Sequence, residues 1–306
     1  MPDGFGSTTA QSVFTTGLVF TVAYVLLGSA AELYAAAVFQ TTDIHTILLI
    51  AFALVAIVFN VLPRPKLPRL DRHVLGGFAA LNIATAVSWI GLFFGLAHVE
   101  PAIVVSFIVA VGPVATVVLD RAIRGTRPSV PDIVASLAIA STGVYLAYVS
   151  LSGNAAMAWS AWTAVGIGAS IAAGFSMSVT GIFVRRLYDL DVDGRGILAH
   201  RFYGALVIVA ILVDPGEFAE VVRSSAIDAL LIALGTIIVP IMLIQAGMRR
   251  LQPIVVQMVL TVSPLVTFVM QAADPRLIFS PYTLAGNVVI VAIALWCVHA
   301  HSRRVS

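Results

Sequence analysis

The sequence predicts an all-α integral membrane protein of ten transmembrane helices, built as two inverted five-helix repeats, residues 1–152 and 153–306. Three observations carry that expectation. The 306-residue chain is 60% hydrophobic and 10% charged, with a mean hydropathy of +1.02, whereas a soluble domain is nearer a quarter charged. Ten crossings would put 15 of the 17 basic residues on one side of the membrane. And residues 91–105, GLFFGLAHVEPAIVV, return 152 positions later as LIQAGMRRLQPIVVQ, residues 243–257.

The elements follow from uncharged runs, measured against the roughly 20 apolar residues a helix needs to cross a bilayer. A first span at about 12–38 is followed by runs at 44–63, 74–97 and 101–119. From about Ile133 to Val184 there is length for two crossings, with SLSGNAA at 150–156 as the turn between them. The seventh span, about 197–213, is the weakest because Arg201 interrupts it near one end. The runs 229–248, 251–273 and 277–298 complete the ten. No Lys or Arg precedes the first run and Glu32 lies inside it, so it reads as a span, not as a cleaved secretory signal. Cys297 is the single cysteine, which excludes an intrachain disulfide and a thiolate cluster for metal.

With ten spans, one side holds Arg64, Lys66, Arg69, Arg72, Arg121, Arg124, Arg127, Arg185, Arg186, Arg195, Arg201, Arg249, Arg250, Arg303 and Arg304. The other keeps Arg223 and Arg276 with Glu100, Asp214, Glu217, Glu220, Asp228 and Asp274. The positive-inside rule makes the basic side cytoplasmic, so both termini are expected inside a cytoplasmic (inner) membrane. The repeated stretch obeys the same rule. Five spans separate its copies, an odd number, so they face opposite sides; HVE suits an external link and MRRLQ a cytoplasmic one. Gly95 and Gly247 would allow close helix contact, and Pro101 and Pro253 would open the next helix. The mid-span pairs Gly112-Pro113 and Ser263-Pro264 are expected to loosen or bend spans 4 and 9 and to border a central cavity.

Several of these features also carry a resemblance. The third span ends GLAHVEPA, the fourth contains Gly-Pro and exits as RGTRPS, and the repeat reads GMRRLQPIVV with Ser-Pro in span 9; AHRFYGALVIVAIL stands at 199–212. Together they resemble the drug/metabolite transporter superfamily, EamA type, over almost the whole chain. The resemblance implies an alternating-access carrier, usually an exporter of small metabolites, in a prokaryotic cytoplasmic membrane. LGSAAELY in span 1 and Asp120-Arg121 at the exit of span 4 depart from the family's Trp-Gly-Ser and exit glutamate.

Chemistry has to come from the few polar groups inside the membrane. Glu32 stands out, because a carboxylate near a helix centre costs about 2.5 to 3.5 kcal/mol on insertion scales and persists mainly beside a cavity or a partner. It reads either as a ligand for a proton or a substrate amine, or as a hydrated group near the external interface beside Asp43 and His45. Its setting, AYVLLGSAAELYAAA, is also similar to the first-span glutamate of the small multidrug resistance branch of the same superfamily. Ser176 is expected at the matching position of span 6, so the second half offers no partner carboxylate. Tyr24, Asn82, Thr85, Trp89, Phe93, Ser106, Phe175, Ser178, Gln257 and Thr261 are the other candidates to line a substrate cavity, although each residue type also serves in helix packing. Thr85 with Trp89, and Trp89 with Phe93, are i, i+4 pairs on one face. Aromatic walls with few fixed charges suit a small amphiphilic solute better than a sugar phosphate, which would want paired Lys or Arg at depth. Arg201 is expected near the cytoplasmic end of span 7 as a gate or a lipid-phosphate contact. Trp159 and Trp162 read as interface anchors.

Other chemistries leave no pattern. There is no GxxxxGK[ST] loop, no HExxH and no charged soluble domain to hydrolyse ATP. DLDVDG at 189–194 lacks the later acidic position of a calcium loop and reads as a solvated turn. The sequence therefore predicts no enzyme, no cofactor, no bound metal and no nucleic-acid partner. It predicts a secondary active or facilitative exporter of small amphiphilic metabolites, amino acids first and aromatic ones among them, with protons a candidate coupling ion and the lipid bilayer its surroundings. The alternatives are a proton-coupled exporter of organic cations centred on Glu32, and a non-transport membrane sensor.

Overall fold

The computed structural model describes residues 5–61, 71–124, 130–251 and 253–305, and its ordered elements are helices, with no strand among the described residues. An apolar chain in lipid has to satisfy its backbone within each segment, and the helix does so. The elements are α1 (Phe5–Phe39), α2 (Ile44–Val61), α3 (Arg72–His98), α4 (Pro101–Arg124), α5 (Val130–Leu151), α6 (Thr163–Asp189), α7 (Gly194–His200), α8 (Tyr203–Leu212) and α9 (Pro215–Ile232). A π-helical turn, Ala233–Ile238, then leads into α10 (Val239–Met248), followed by α11 (Pro253–Thr261), α12 (Ser263–Gln271) and α13 (Pro281–Val305).

Among the described residues seven helical stretches are long and apolar enough to cross a membrane: Gln11–Phe39, Ile44–Val61, Arg72–His98, Ile133–Leu151, Thr163–Asp189, Gly194–Leu212 and Pro215–Met248. Pro101–Gly112, Met258–Gln271 and Pro281–Trp296 are apolar but shorter.

Helix starts are chemically marked. Asp71 accepts from the backbone N–H of His73 and Val74 at 2.9 and 2.8 Å, capping α3. Asp214 accepts from Gly216 N–H at 2.8 Å, and Pro215 follows in the first turn. That Asp-Pro start overrides the charges behind it. The helix expected at 229–248 therefore begins at Pro215 and carries Glu217, Glu220 and Arg223, with a kink at Ser225 (φ −128°, ψ 16°).

Three breaks interrupt the rods. Residues 201–202 separate α7 from α8, Val262 separates α11 from α12 just before Pro264, and the π turn precedes Pro240. Proline lacks an N–H and its ring crowds the preceding turn, which accounts for the latter two. α4, by contrast, runs uninterrupted past Gly112-Pro113, so the expected pair of loosened spans is found only in the second member; the side chain of Pro113 lies outside the described residues.

The helices pack as a bundle. α3 lies along α6, α1 along α10 and α12, α4 against α5, α6 and α12, α5 against α13, and α2 against α8 and α9. Small residues allow the closest crossings. A Cβ on Gly91 would stand 2.7 Å from Ala169 O, and one on Gly95 would collide with Ser170 Oγ; one on Gly247 would collide with Thr21 Oγ1. The main core joins Phe39, Phe52, Phe59, Phe93 and Phe202 across α1, α2, α3 and the α7–α8 break. A smaller cluster, Val74, Leu81, Leu187, Val192 and Ile197, closes the end that holds Arg72 and Arg195.

Candidate functional site

Glu32 sits two turns beyond Tyr24 on the same face of α1, and both are half-buried. Among the described residues neither a hydrogen bond nor an ion pair reaches the Glu32 carboxylate. Its surroundings are built by its neighbours in sequence. Ser29 accepts a hydrogen bond from Thr267 of α12 at 2.9 Å, Ala31 rests on Gly235 of the π turn, and Tyr34 donates to Asp228 of α9 at 2.5 Å. Glu32 thus lies where α1 meets α12 and the irregular turn of α9–α10. One turn earlier, a Cβ on Gly28 would meet no atom within 4 Å. The contacts of Gly17 and Thr21 on α1 match those of Gly166 and Ser170 on α6, an offset of 149 residues. Carried to Glu32, the offset reaches Gly181, not the expected Ser176; neither is acidic.

The candidates on α3 divide. Asn82 is fully engaged: its Nδ2 donates to Phe78 O at 2.9 Å and His200 O at 2.8 Å, and its Oδ1 accepts from Gly204 N–H at 2.8 Å. Asn60 does parallel work, donating to Ala56 O at 2.7 Å and Ala199 O at 2.9 Å while accepting from Tyr203 OH at 3.1 Å. Together the two asparagines occupy three of the backbone groups exposed where α7 stops and α8 starts, Ala199 O, His200 O and Gly204 N–H. Asn82 therefore holds the break, with both N–H donors and its oxygen engaged there. Phe93 is fully buried, its ring against Phe39 at 5.6 Å and Phe52 at 6.3 Å, so it is wall packing. Trp89 is half-buried and bridges Phe93 at 5.8 Å and Phe202 at 6.2 Å. Thr85, one turn below Trp89, is buried with its hydroxyl unpartnered.

On the remaining helices, Ser106 of α4 is buried and its hydroxyl is shared between Ala102 O at 2.7 Å and Asn287 Oδ1 of α13 at 2.6 Å. It is a helix-to-helix tie. Thr261 is buried at the end of α11, Ser178 is half-buried on α6, and Phe175 is 39% exposed, on the outside of the bundle. The side chain of Gln257 lies outside the described residues. Glu32, Tyr24, Thr85 and Trp89 thus keep free or accessible groups, while Asn82, Phe93 and Ser106 are spent on packing. The six scattered histidines and DLDVDG form no group of three or more metal-ligating side chains among the described residues.

A second carboxylate escaped the sequence reading, which left Glu100 in an external link. It is 1% exposed. Ala156 N–H donates to Oε2 at 2.7 Å, Thr283 Oγ1 donates to the same oxygen at 2.9 Å, and Gln271 Nε2 donates to Oε1; Gln271 Oε1 in turn accepts from Ala102 N–H at 3.1 Å. One side chain thereby joins the α3–α4 link to the segment before α6, to α12 and to α13. Burial pushes its pKa up, against three donors that pull it down. The sequence signal was only its place between a helix end and Pro101. Its partners lie 56 to 183 residues away.

Arg201 stands in the α7–α8 break, at the level of Asn60, one residue from the end of α2, and of Asn82, ten residues into α3. Its guanidinium carbon lies 5.3 Å from the Phe202 ring centroid.

Residues 164–298 match the model of the EamA-like transporter family. A crystal structure of a protein 16% identical to this chain aligns with a TM-score of 0.60 over 97% of this chain and 99% of that one, a likeness of fold alone. The comparison with curated proteins gave no match.

Proposed function

We propose, from the membership of residues 164–298 in the EamA-like transporter family, part of the drug/metabolite transporter superfamily, that this membrane transporter is a secondary or facilitative carrier exporting small amphiphilic metabolites. Amino acids are the first candidates, aromatic ones among them, and alternating access is the mechanism. In this reading the three shorter apolar helices also cross the bilayer, giving ten spans and two inverted halves.

The observation that carries the reading is a mirrored contact. Gly95 of α3 meets Ser170 of α6, and Gly247 of α10 meets Thr21 of α1; each hydroxyl residue donates to the carbonyl four residues earlier, Gly166 O at 2.8 Å and Gly17 O at 3.0 Å. The neighbours repeat as well, since Gly166 abuts His98 and Val99 while Gly17 abuts Arg250 and Leu251. Two oppositely oriented halves would make the same joint twice, at opposite ends of the bundle, and a carrier of this design binds solute between them. In this reading Glu32 would supply an acid and Trp89 an aromatic face there.

Purified protein in liposomes, given a panel of radiolabelled amino acids with and without a pH gradient, tests the reading. Counterflow of at least one amino acid above empty liposomes is expected; a flat panel would reject it. The second reading, proton-coupled export of organic cations, is favoured by one feature, the unpaired Glu32 carboxylate. It requires that cations, and not amino acids, dissipate an imposed pH gradient.

A further inference from the structure

We infer that Arg201, in the break between α7 and α8, binds a carboxylate group of the transported solute. The identity of the ligand as a solute rests on the carrier reading above; the anion site itself does not. An arginine inside a membrane bundle normally finds a carboxylate, a backbone carbonyl or water. Here two of the carbonyls freed by the helix break, Ala199 O and His200 O, are already taken by Asn60 and Asn82. Among the described residues no acidic side chain pairs with Arg201, and its Nε is buried with no partner. The asparagines, not the guanidinium, hold these carbonyls, and among the described residues the guanidinium stands there without a counter-charge. Arg201 is half-buried with its Nε fully enclosed, and a cation left unpaired in such a place is costly, a cost that an incoming anion offsets.

The surroundings select among anions. The guanidinium plane offers paired N–H groups that match a carboxylate in bidentate fashion. Its neighbour Phe202 is fully buried, and it stacks on Phe52 at 6.3 Å and Phe59 at 6.2 Å and contacts Trp89 at 6.2 Å. One cation beside an aromatic wall fits a monoanion with an apolar body, whereas a phosphate dianion would call for further positive charge. A lipid headgroup would need Arg201 to face outward. The positions one turn to either side, Ile197, Leu198 and Ala205, are all buried, which turns this stripe of the helix into the bundle.

The test uses the full chain in detergent, with ligand binding read as a shift in the thermal unfolding midpoint. The probes are phenylacetate, the uncharged phenylacetamide, inorganic phosphate, and micelles doped with phosphatidylglycerol. Phenylacetate is expected to stabilise the wild type while phenylacetamide does not, and Arg201→Gln should weaken the phenylacetate response by about tenfold or more in apparent affinity. Arg201→Lys keeps the charge and loses the fork, so it should bind several-fold more weakly than wild type. Should Arg201→Gln fail to fold, the lysine variant decides. The site is overturned by equal phenylacetate responses in wild type and variants, by no response in the wild type, or by an Arg201-dependent response to phosphatidylglycerol or phosphate alone. Arg201-dependent binding of phenylacetate without any solute movement in liposomes would instead overturn the carrier reading and leave the site standing.

Discussion

Glu100 accepts from three buried donors, Ala156 N–H, Gln271 Nε2 and Thr283 Oγ1, so its removal strands them in a buried place. Glu100→Ala should lower stability on the order of 3 kcal/mol, since each buried donor left unpaired costs about 1–3 kcal/mol; Glu100→Gln, which keeps one acceptor, should lose less. The sign of the pH effect follows from burial. A carboxyl whose folded pKa is raised binds its proton more tightly folded than unfolded, so its contribution is complete in acid below the ordinary carboxylate range and declines as pH rises through the raised value. Asp274, held low by the Arg276 guanidinium, acts in the opposite sense. The Glu100 contribution is therefore the difference between wild-type and Glu100→Gln unfolding midpoints across pH 4–8 (roughly the span in which a raised carboxyl titrates). A constant difference would show that Glu100 does not titrate in the folded chain. Glu32 poses the contrasting case, a carboxyl group without a hydrogen-bond or ion-pair partner among the described residues. Glu32→Gln keeps the shape but fixes the neutral form, so pH-gradient-driven uptake into liposomes should be abolished while exchange of a zwitterion persists. Identical pH responses would remove Glu32 from coupling. Sequence reasoning could single out Glu32, because an acid inside an apolar run is anomalous by itself. Glu100 stood in a turn, where an acid is ordinary, and only distant partners make it buried.

Helix breaks and helix crossings show the same division between local and tertiary causes. Pro264 interrupts its span and Pro113 does not, although the two dipeptides look alike in the sequence. Pro240, whose π turn touches Ala31 next to Glu32, drew no notice because it lies inside an otherwise uniform apolar run. The α7–α8 break has no proline at all and is held by Asn60 and Asn82 from α2 and α3, partners more than 100 residues away in sequence. Glycines at crossings were more legible: Gly95 and Gly247 stood out as a repeated pair, while their partners Ser170 and Thr21 did not. The two crossings can be tested as elements. Gly247→Ala should destabilise on the order of 1–3 kcal/mol by forcing a Cβ onto Thr21 Oγ1, an overpacking cost. Thr21→Ala should recover most of it, because the next atoms from that Cβ, Gly17 O and Thr21 Cβ, are 3.4 and 3.5 Å away. Gly95→Ala with Ser170→Ala should behave likewise. Double-mutant cycles on unfolding midpoints measure both couplings, and additive losses at either joint would mean that hydroxyl contact does not set the crossing distance.

At the scale of the whole molecule, several of the main helix pairings recur when residues 1–152 and 153–306 are exchanged, although α1 on α3 has no counterpart. α3 on α6 maps to α10 on α1, α2 on α9 maps to α8 on α3, and α4 on α5 maps to α11–α12 on α13. Such a pattern is what two copies of one five-helix unit would give, and the repeat of residues 91–105 at 243–257 made half of it visible in the sequence. The other half, Gly17 with Gly166 and Thr21 with Ser170, was hidden because the surrounding residues share only apolar character, which lipid demands of every span. Exchange of halves does not by itself say that they are inverted; the positive-inside rule, applied to the charges, is what predicts it. If the link at 98–100 faces outward and Arg249 with Arg250 face the cytoplasm, equivalent joints lie on opposite sides, and the number of crossings between them must be odd. Ser152, exposed in the turn after α5, should then be external and the C-terminus internal. In a Cys297→Ser background, Ser152→Cys should react with a membrane-impermeant maleimide in intact cells, and a green fluorescent protein fused after Ser306 should fluoresce. Protection of the cysteine together with fluorescence of the fusion would place both on the cytoplasmic side, leave an even number of crossings between them, and sink the inverted repeat.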